Sequence, residues 1–297
     1  MSPWNSPCGV AVHAWLIGRS WIEAGHELFV FAPTKEVPGD MVLLDAPDEP
    51  FVIRCWEMHR HGDRLEDDAP LGLQLEPGPL MKAQLDVLFV EKPCSTPLSK
   101  LVGMVKALGK RGCRVAAIMH EGVVPRSKHF YQIEWDFASL FDERFFALYG
   151  QLIRAKKVAI VPYPFHPIRE GDVAGAREAL GLPHDAEIVL AFGTRAEFLW
   201  PIMPYLASIA RRRPLKLLIL AKHGKGLKHA LALKNRYNFV LVRREAPHYE
   251  ALYDYLHACN VVLLHRPHRH DYIPLSSTVH LCLGALRPIL CPDNNFF

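Results

Sequence analysis

The chain has 297 residues, of which 50% are hydrophobic and 22% are charged, and its mean hydropathy is +0.04. This balance excludes a mainly disordered protein, and the length allows about two domains, each with its own core. Lys and Arg outnumber Asp and Glu by 35 to 31, so the net charge of +4 is too small to predict nucleic acid as a partner.

The seven cysteines form no C-x-x-C pair, which argues against a disulfide scaffold and against a zinc site. We therefore expect a reducing, cytoplasmic location. No apolar stretch approaches the ~18 residues that a membrane helix needs, and the first residues do not have the pattern of a signal peptide. The sequence predicts a protein that is neither exported nor membrane-spanning.

Short apolar runs alternate with longer amphipathic stretches along the whole chain, which is typical of repeated βα units. The runs of strand length in the first half are residues 28–32, 52–56, 86–90, 114–119 and 158–161. Those in the second half are residues 188–192, 215–220, 239–242, 261–264 and 288–291. The second set is continuously apolar, as expected for parallel strands that helices cover on both faces. The sequence thus predicts an α/β fold with doubly wound sheets.

Helix candidates lie between these strands, and most have clear start or stop signals. They cover residues 11–24, 97–110 and 201–213, and a further helix begins after Asp172 as its N-cap and ends at Gly181. The alternation therefore continues through both halves of the chain.

A proline-rich segment separates the two halves. Residues 162–171 include prolines at 162, 164 and 167, and proline fits neither a helix interior nor a central strand. We expect a stiff linker there, between an N-terminal domain over 1–161 and a C-terminal domain over 172–297. Two Rossmann-like domains of this kind would face each other across a cleft, with ligands at the carboxyl ends of the strands.

Two segments of the first half carry candidate functional residues. Gly9 directly precedes the first helix, where a glycine lets the backbone approach a ligand phosphate, although a simple turn explains it too. His120 and Glu121 follow a predicted strand, where a titratable pair could orient or deprotonate a hydroxyl nucleophile. A histidine that hydrogen-bonds a backbone carbonyl is the alternative.

Three loops of the second half carry groups suited to a diphosphate: cations after strands and hydroxyls at a helix start. The residues are Gly193, Arg195, Lys222, Ser276, Ser277 and Thr278. Cations offset the charge of a diphosphate, and a helix N-terminus offers N–H donors. Each residue alone could instead be a solvated loop charge or a helix cap. The histidine-rich tract 265–271 contains arginines and a proline, so we expect a basic loop there and no metal site.

An ordered series of short motifs resembles a known family over nearly the whole chain. The motifs are CGVA at 8–11, GHELFV at 25–30, HEG at 120–122, VPYPF at 161–165, LGLP at 180–183, FG at 192–193, LYDYLHACNVV at 252–262, SS at 276–277 and RPI at 287–289. Their order and spacing resemble family 4 retaining glycosyltransferases of the GT-B fold. The resemblance implies an acceptor-side N-terminal domain and a C-terminal domain that binds a UDP- or GDP-linked sugar.

The resemblance also implies roles for individual residues. Gly9 matches the glycine loop that approaches the donor phosphates, His120 matches the histidine near the sugar and acceptor, and Arg195 lies close to the diphosphate-binding arginine. Transfer with retention of the anomeric configuration and no obligatory metal are implied as well. The acceptor could be a glycan, a lipid or a small molecule, and peripheral contact with a membrane surface stays open.

Four features depart from the family pattern. The lysine expected after the arginine is missing from residues 196–201, and the paired glutamates are missing from residues 271–284. The first strand is reduced to Met-Ser-Pro-Trp, and the sequence stops just after the last predicted strand. These departures predict a minimal or truncated glycosyltransferase. They keep open a non-catalytic GT-B scaffold or partner subunit, and a sugar-nucleotide epimerase or phosphorylase.

Overall fold

The computed structural model describes residues 1–39, 41–192 and 196–296. The chain forms two compact units. The first unit contains Met1–Met41, Asp48–Pro164 and His270–Leu275. The second unit contains Val42–Pro47, Phe165–Arg269 and Ser276–Phe297. The chain passes from the first unit to the second between Pro164 and Phe165, inside the proline-rich segment. Two short segments, Val42–Pro47 and His270–Leu275, each belong to a different unit from the residues on either side of them in the sequence. The domain boundaries derived from the sequence stay a prediction.

The first unit contains six parallel strands. They are β1 (Val30–Glu36), β2 (Val52–Met58), β3 (Val87–Glu91), β4 (Arg114–Ile118), β5 (Phe137–Leu140) and β6 (Val158–Ile160). β1 pairs with β2, while the other four form a sheet in the order β3-β4-β5-β6. Sequence reasoning missed β5, because this strand has only four residues and Ser139 interrupts its apolar pattern.

The first two residues of the chain connect these two groups of strands. The nitrogen of Met1 donates to the carbonyl of Phe89 over 2.6 Å, and the nitrogen of Glu91 donates to the carbonyl of Met1 over 2.9 Å. On the other side, the nitrogen of Ser2 donates to the carbonyl of Phe31 over 3.1 Å. Met1 and Ser2 therefore lie in line between β1 and β3, so the strands follow the order of a doubly wound sheet.

The described residues of the first unit also form four helices. They are α1 (Gly9–Glu23), α2 (Pro77–Lys82), α3 (Leu98–Gly109) and α4 (Glu143–Tyr149). α3 buries Leu98, Leu101 and Leu108 at helical spacing in the main core of this unit. The carboxylate of Asp142 accepts hydrogen bonds from two backbone N–H groups and so begins α4.

The second unit has one five-stranded parallel sheet. Its strands are β7 (Glu187–Ala191), β8 (Leu215–Leu220), β9 (Val240–Arg243), β10 (Val261–Leu263) and β11 (Ile289–Leu290). Their order is β11-β10-β7-β8-β9, so the direction of winding reverses between β7 and β10. In sheets of this kind, ligands bind beyond the carboxyl ends of the strands at the point of reversal. The loops after β7 and β10 are therefore the first places to look for a ligand site.

Helices cover both faces of this second sheet. They are α5 (Val173–Ala179), α6 (Met203–Ala210), α7 (Gly224–Arg236), α8 (Tyr249–Ala258) and α9 (Ser277–Gly284). Ile188 and Leu190 of β7 enter one apolar core, while Val189 and Ala191 enter the other. This two-sided burial explains why the second-half strands are continuously apolar.

The predicted fold class, an α/β chain with Rossmann-like doubly wound sheets, is confirmed. Every predicted strand overlaps an observed strand, and the carboxylate of Asp172 accepts from the backbone nitrogens of Ala174 and Gly175, which begins α5. None of the helices within the described ranges is long and apolar enough to cross a membrane.

Candidate active site

A buried polar cluster lies at the carboxyl ends of β3 and β4 in the first unit. Glu91 is the last residue of β3, and His120 follows β4 by two positions. The third member, His13, comes from the second turn of α1. Parallel strands place the residues that follow them at one edge of the sheet, which is why residues so far apart in sequence meet here.

The carboxylate of Glu91 bridges the two imidazoles. Its Oε1 lies 2.9 Å from Nδ1 of His13, and its Oε2 lies 2.5 Å from Nε2 of His120. The exposed fraction of the side chain is 4% for Glu91 and 6% for each histidine. Both carboxylate oxygens are therefore satisfied in a setting almost without water, where such hydrogen bonds are strong.

Burial and hydrogen bonding shift the protonation of this cluster. Burial alone would raise the pKa of Glu91, but the charge of His13 and hydrogen bonds from both imidazoles lower that pKa to about 2. Burial lowers the pKa of His120 to about 4, although Glu91 acts in the opposite direction. At neutral pH Glu91 is thus ionised and His120 is neutral.

Aromatic rings pack around the two histidines. The ring of Phe141 lies 4.8 Å from that of His120, and the ring of Tyr163 lies 5.3 Å from that of His13. The hydroxyl of Tyr163 donates to the carbonyl of Gly9 over 2.8 Å. The first turn of α1, where the sequence predicts a phosphate contact, is therefore fixed to the same cluster.

Glu121 follows His120 in the sequence and is fully buried. Its Oε1 accepts from the nitrogen of Cys94 over 2.8 Å, and its Oε2 has no hydrogen-bond partner within the described ranges. Burial raises the pKa of Glu121 to about 7, against the charge of Lys92, which lowers it. With no exposed surface, the Glu121 carboxyl holds the loop after β4 and does not face solvent.

Gly122 allows another segment to pack closely against this loop. The nitrogen of Ile273 donates to the carbonyl of Gly122 over 2.7 Å. A Cβ on Gly122 would lie 2.1 Å from the carbonyl oxygen of Ile273 and 2.6 Å from the ring of Tyr272. A side chain at position 122 would thus collide with the backbone carbonyl of Ile273, which explains the glycine here.

The second unit contains the residues predicted to bind a diphosphate. Gly193 and Arg195 follow β7 in the sequence but lie outside the described residues. Ser277 and Thr278 form the first turn of α9, and Ser276 occupies the N-cap position. No side-chain hydrogen bond from Ser276 caps this helix, so the cap interpretation does not account for its hydroxyl.

Lys222, the second predicted cation, is held by the segment Val42–Pro47. Its Nζ donates to the carboxylate of Asp45 and, over 3.2 Å, to the carbonyl of Leu43. The other oxygen of the Asp45 carboxylate accepts from the nitrogen of Ala246 over 2.6 Å. Burial opposes ionisation, but the hydrogen bond from Lys222 prevails and lowers the pKa of Asp45. The ammonium group of Lys222, which the sequence predicts to bind phosphate, is thus paired with the carboxylate of Asp45.

In the described ranges there are two groups of three residues whose possible metal-ligand atoms lie within 4.8 Å of one another in each group. The first is the cluster of Glu91 with its two histidines. The second consists of Asp67, Asp68 and His129. In the second group, Asp67 accepts from the nitrogen of Ala69, and Asp68 accepts from Ser99. The carboxylates of both groups already accept hydrogen bonds, so the geometry fits hydrogen-bonded clusters.

No family model matches the chain. Its fold is nevertheless similar to that of several solved glycosyltransferases. Sucrose-phosphate synthase from Thermosynechococcus elongatus is 16% identical with a TM-score of 0.61, and the match covers 97% of this chain and 76% of that one. HepE from Anabaena, solved with UDP and glucose, is 11% identical with a TM-score of 0.61, and the match covers 98% and 78%.

A third structure, an alpha-glucosyltransferase solved with UDP and a 13-mer DNA, is 11% identical with a TM-score of 0.59. The match covers 99% of this chain and 78% of that chain. At such identities the likeness defines the fold. This chain therefore has the GT-B fold of nucleotide-sugar glycosyltransferases, built from two Rossmann-like units.

The sequence predicts His120 as a site residue but does not single out Glu91 or His13, the other two members of the cluster. Glu91 is a charged residue directly after the apolar run of β3, and His13 follows the glycine of the first helix by four positions. A carboxylate at the end of a buried parallel strand is the signal that could have identified Glu91.

Proposed function

We propose that this protein is a glycosyltransferase that moves a sugar from a UDP- or GDP-linked donor to a hydroxyl acceptor, with retention of the anomeric configuration. The observation that carries the proposal is the buried His120–Glu91 pair at the carboxyl ends of β3 and β4, in a chain with the GT-B fold. HepE and the alpha-glucosyltransferase, which share this fold, were solved with UDP, and this supports a nucleotide-sugar donor here.

The second unit supplies the groups that suit the donor. Departure of a nucleoside diphosphate concentrates negative charge on its leaving oxygen. Arg195, Lys222 and the N–H groups of the first turn of α9 are donors and cations suited to that charge. Ser276, Ser277 and Thr278 add hydroxyls at the same helix start. In this proposal no metal ion is required, because these groups offset the charge themselves.

The first unit supplies His120 and the start of α1 at Gly9. The bond from the sugar's anomeric carbon to the diphosphate breaks, and a bond to the acceptor oxygen forms. The acceptor's proton leaves with the diphosphate, whose oxygens accept it. His120 contacts the reacting sugar or the acceptor, and Glu121 acts as a positioning residue because its carboxyl is buried.

A panel of UDP-, GDP- and ADP-linked sugars tests the proposal, with glycan, lipid and small hydroxyl acceptors and release of nucleoside diphosphate as the readout. We expect acceptor-dependent release with one donor class. His120→Ala should reduce it about 10- to 100-fold, because a substrate hydroxyl loses its hydrogen-bond acceptor. His26→Ala, which changes an exposed histidine of the same unit, should leave it unchanged. If no donor in the panel is either bound or turned over, the proposal is wrong.

One observation favours a second candidate, a non-catalytic GT-B scaffold or partner subunit. Lys222 forms an ion pair with Asp45, and a catalytic donor site would need the ammonium group of Lys222 for the diphosphate. This candidate predicts that the panel shows binding of a nucleotide without turnover, and that a partner protein co-purifies with the chain. A sugar-nucleotide epimerase or phosphorylase would instead give turnover without a separate acceptor.

A further inference from the structure

The hydrogen bonds of Glu91 determine which nitrogen of His120 carries a proton. We propose that Glu91 is a positioning residue that holds His120 in the tautomer with its proton on Nε2, so that Nδ1 offers a lone pair to a substrate hydroxyl. The assignment of that hydroxyl to a sugar substrate rests on the proposed function. The tautomer itself does not depend on it.

The ionisation of the cluster determines which of its atoms carry hydrogen. A carboxylate is only an acceptor, so each nitrogen that bonds Glu91 must carry a hydrogen. With a pKa of about 2 for Glu91 and about 4 for His120, the pair at neutral pH consists of a carboxylate and a neutral imidazole. A neutral imidazole has one N–H group, and the 2.5 Å contact requires it at Nε2.

The other nitrogen of the ring is Nδ1. Nδ1 of His120 has no hydrogen-bond partner in the part of the chain that the structure describes, and it is not among the buried unpaired atoms there. It is therefore an acceptor with some access to solvent. The rings of His13 and Phe141 lie 5.0 Å and 4.8 Å from the His120 ring, both nearly edge-on, and restrict its rotation.

Glu91 is itself held in place. His13 engages the second carboxylate oxygen, so Glu91 cannot rotate without losing a buried hydrogen bond. His13 belongs to the helix that begins at Gly9. The charged or titratable groups that act on His120 are Glu91, His13 and Lys92, and among the described residues Glu91 alone hydrogen-bonds its ring.

This arrangement makes His120 a hydrogen-bond acceptor and a poor proton carrier. An imidazole with a pKa of about 4 binds a proton weakly at neutral pH, so it orients a hydroxyl more effectively than it deprotonates one. A site built to accept a hydrogen bond from a hydroxyl discriminates against an analogue that lacks this group. The cluster would thus select a substrate with a hydroxyl at one defined position.

Nitrogen-15 NMR of the histidine-labelled protein at pH 7 tests the tautomer directly. We expect His120, assigned by the signal lost in His120→Ala, to show a protonated Nε2 and an unprotonated Nδ1. Glu91→Gln should weaken this preference, because a carboxamide offers one oxygen to the two imidazoles. Glu49→Gln, which changes a carboxylate bonded to Trp4 and Arg19, is the matched control and should keep the wild-type signal.

Substrate analogues provide the second readout. The probes are donor and acceptor analogues that each lack one hydroxyl, and kcat/KM for each is compared with that for the complete substrate. For one analogue, kcat/KM should fall by about 10- to 100-fold with the wild-type protein. With His120→Ala, the same analogue should differ from the complete substrate by no more than about twofold. Glu91→Gln should lower kcat/KM for the complete substrate by about 10- to 100-fold. A proton on Nδ1 of wild-type His120, or an unchanged tautomer in Glu91→Gln, would overturn the inference. A lack of transferase activity with the expected tautomer would overturn only the proposed function.

Discussion

Lys222 and Asp45 form an ion pair within the second unit although 177 residues separate them in the sequence. The pairing is reinforced by the backbone, since the nitrogen of Asp45 donates to the carbonyl of Ala246 over 2.8 Å. Lys222 lies two positions after the end of β8, which is where the sequence predicts a phosphate contact. An anionic ligand at Lys222 would therefore compete with the carboxylate of Asp45 for the ammonium group.

Asp45→Asn should increase the affinity for the donor's nucleoside diphosphate by about 3- to 10-fold, because a neutral amide competes less well for the ammonium. Lys222→Met should lower the same affinity by at least tenfold. Isothermal titration calorimetry with UDP and GDP measures both effects. Asp254→Asn, at an exposed carboxylate of α8, is the control and should change nothing. Unchanged affinity in both Asp45→Asn and Lys222→Met would mean that Lys222 does not contact the diphosphate.

Gly122→Ala should displace the segment that contains Tyr272 and Ile273, because the added Cβ has no space beside the Ile273 carbonyl. We expect a loss of about 2–4 kcal/mol in the free energy of unfolding and at least a tenfold loss of activity. Gly103→Ala is the matched control, since its Cβ meets nothing within 4 Å and α3 gains helix propensity. The explanation fails if both variants are equally stable by chemical denaturation.

The pH dependence of stability should reveal Glu121. Its pKa in the folded protein, about 7, is raised above the ordinary value of 4.5, so this group costs stability as the pH rises from about 4.5 to about 7. Above that window the cost is constant at about 3 kcal/mol. Glu121→Gln keeps an oxygen for the Cys94 nitrogen and carries no charge.

The free energy of unfolding of Glu121→Gln, relative to the wild type, should therefore increase between pH 4.5 and pH 7 and stay constant at higher pH. Urea titrations at several pH values measure it. A difference between variant and wild type that does not vary with pH would contradict the assignment.

Arg177 should contribute strongly to the stability of the second unit. Its buried guanidinium donates to the carbonyls of Ala258 and His184 and to the side chain of Asn260. Arg177→Met leaves these acceptors without their donor, and we expect a loss of about 2–4 kcal/mol in the free energy of unfolding. Arg212→Met, at an exposed position, should change it by less than about 0.5 kcal/mol. Similar thermal denaturation of the two variants would refute this role.

The sequence was sufficient to predict the fold class because parallel strands covered on both faces leave a strong apolar signal. Ile188 and Val189 are both buried although they point to opposite faces of the sheet. The sequence indicates a reduced first strand at Met-Ser-Pro-Trp, but the position of Met1 and Ser2 between β1 and β3 could not be predicted, because it rests on three backbone hydrogen bonds between distant segments. A strand segment as short as Met1 and Ser2 has too few residues for a hydrophobic period to be recognised in the sequence.

The candidate site was predicted less completely, because spacing in the sequence does not report which buried groups pair. His120 was identified from its position after a strand, but its partner Glu91 is 29 residues away in the sequence. Glu121 satisfied the same positional rule and yet is fully buried, because its side chain turns towards Cys94. Lys222 was placed correctly after β8, but only the three-dimensional contacts revealed its pairing with Asp45.

The configuration of the reaction product decides whether this protein is a retaining glycosyltransferase. The purified protein is incubated with the nucleotide sugar that the donor panel selects and with its acceptor, and NMR follows both products over time. The account predicts one nucleoside diphosphate for each glycoside formed, with the anomeric configuration of the donor retained. A product of inverted configuration would contradict retention, and the absence of any glycoside with every donor and acceptor tested would contradict the assignment as a glycosyltransferase.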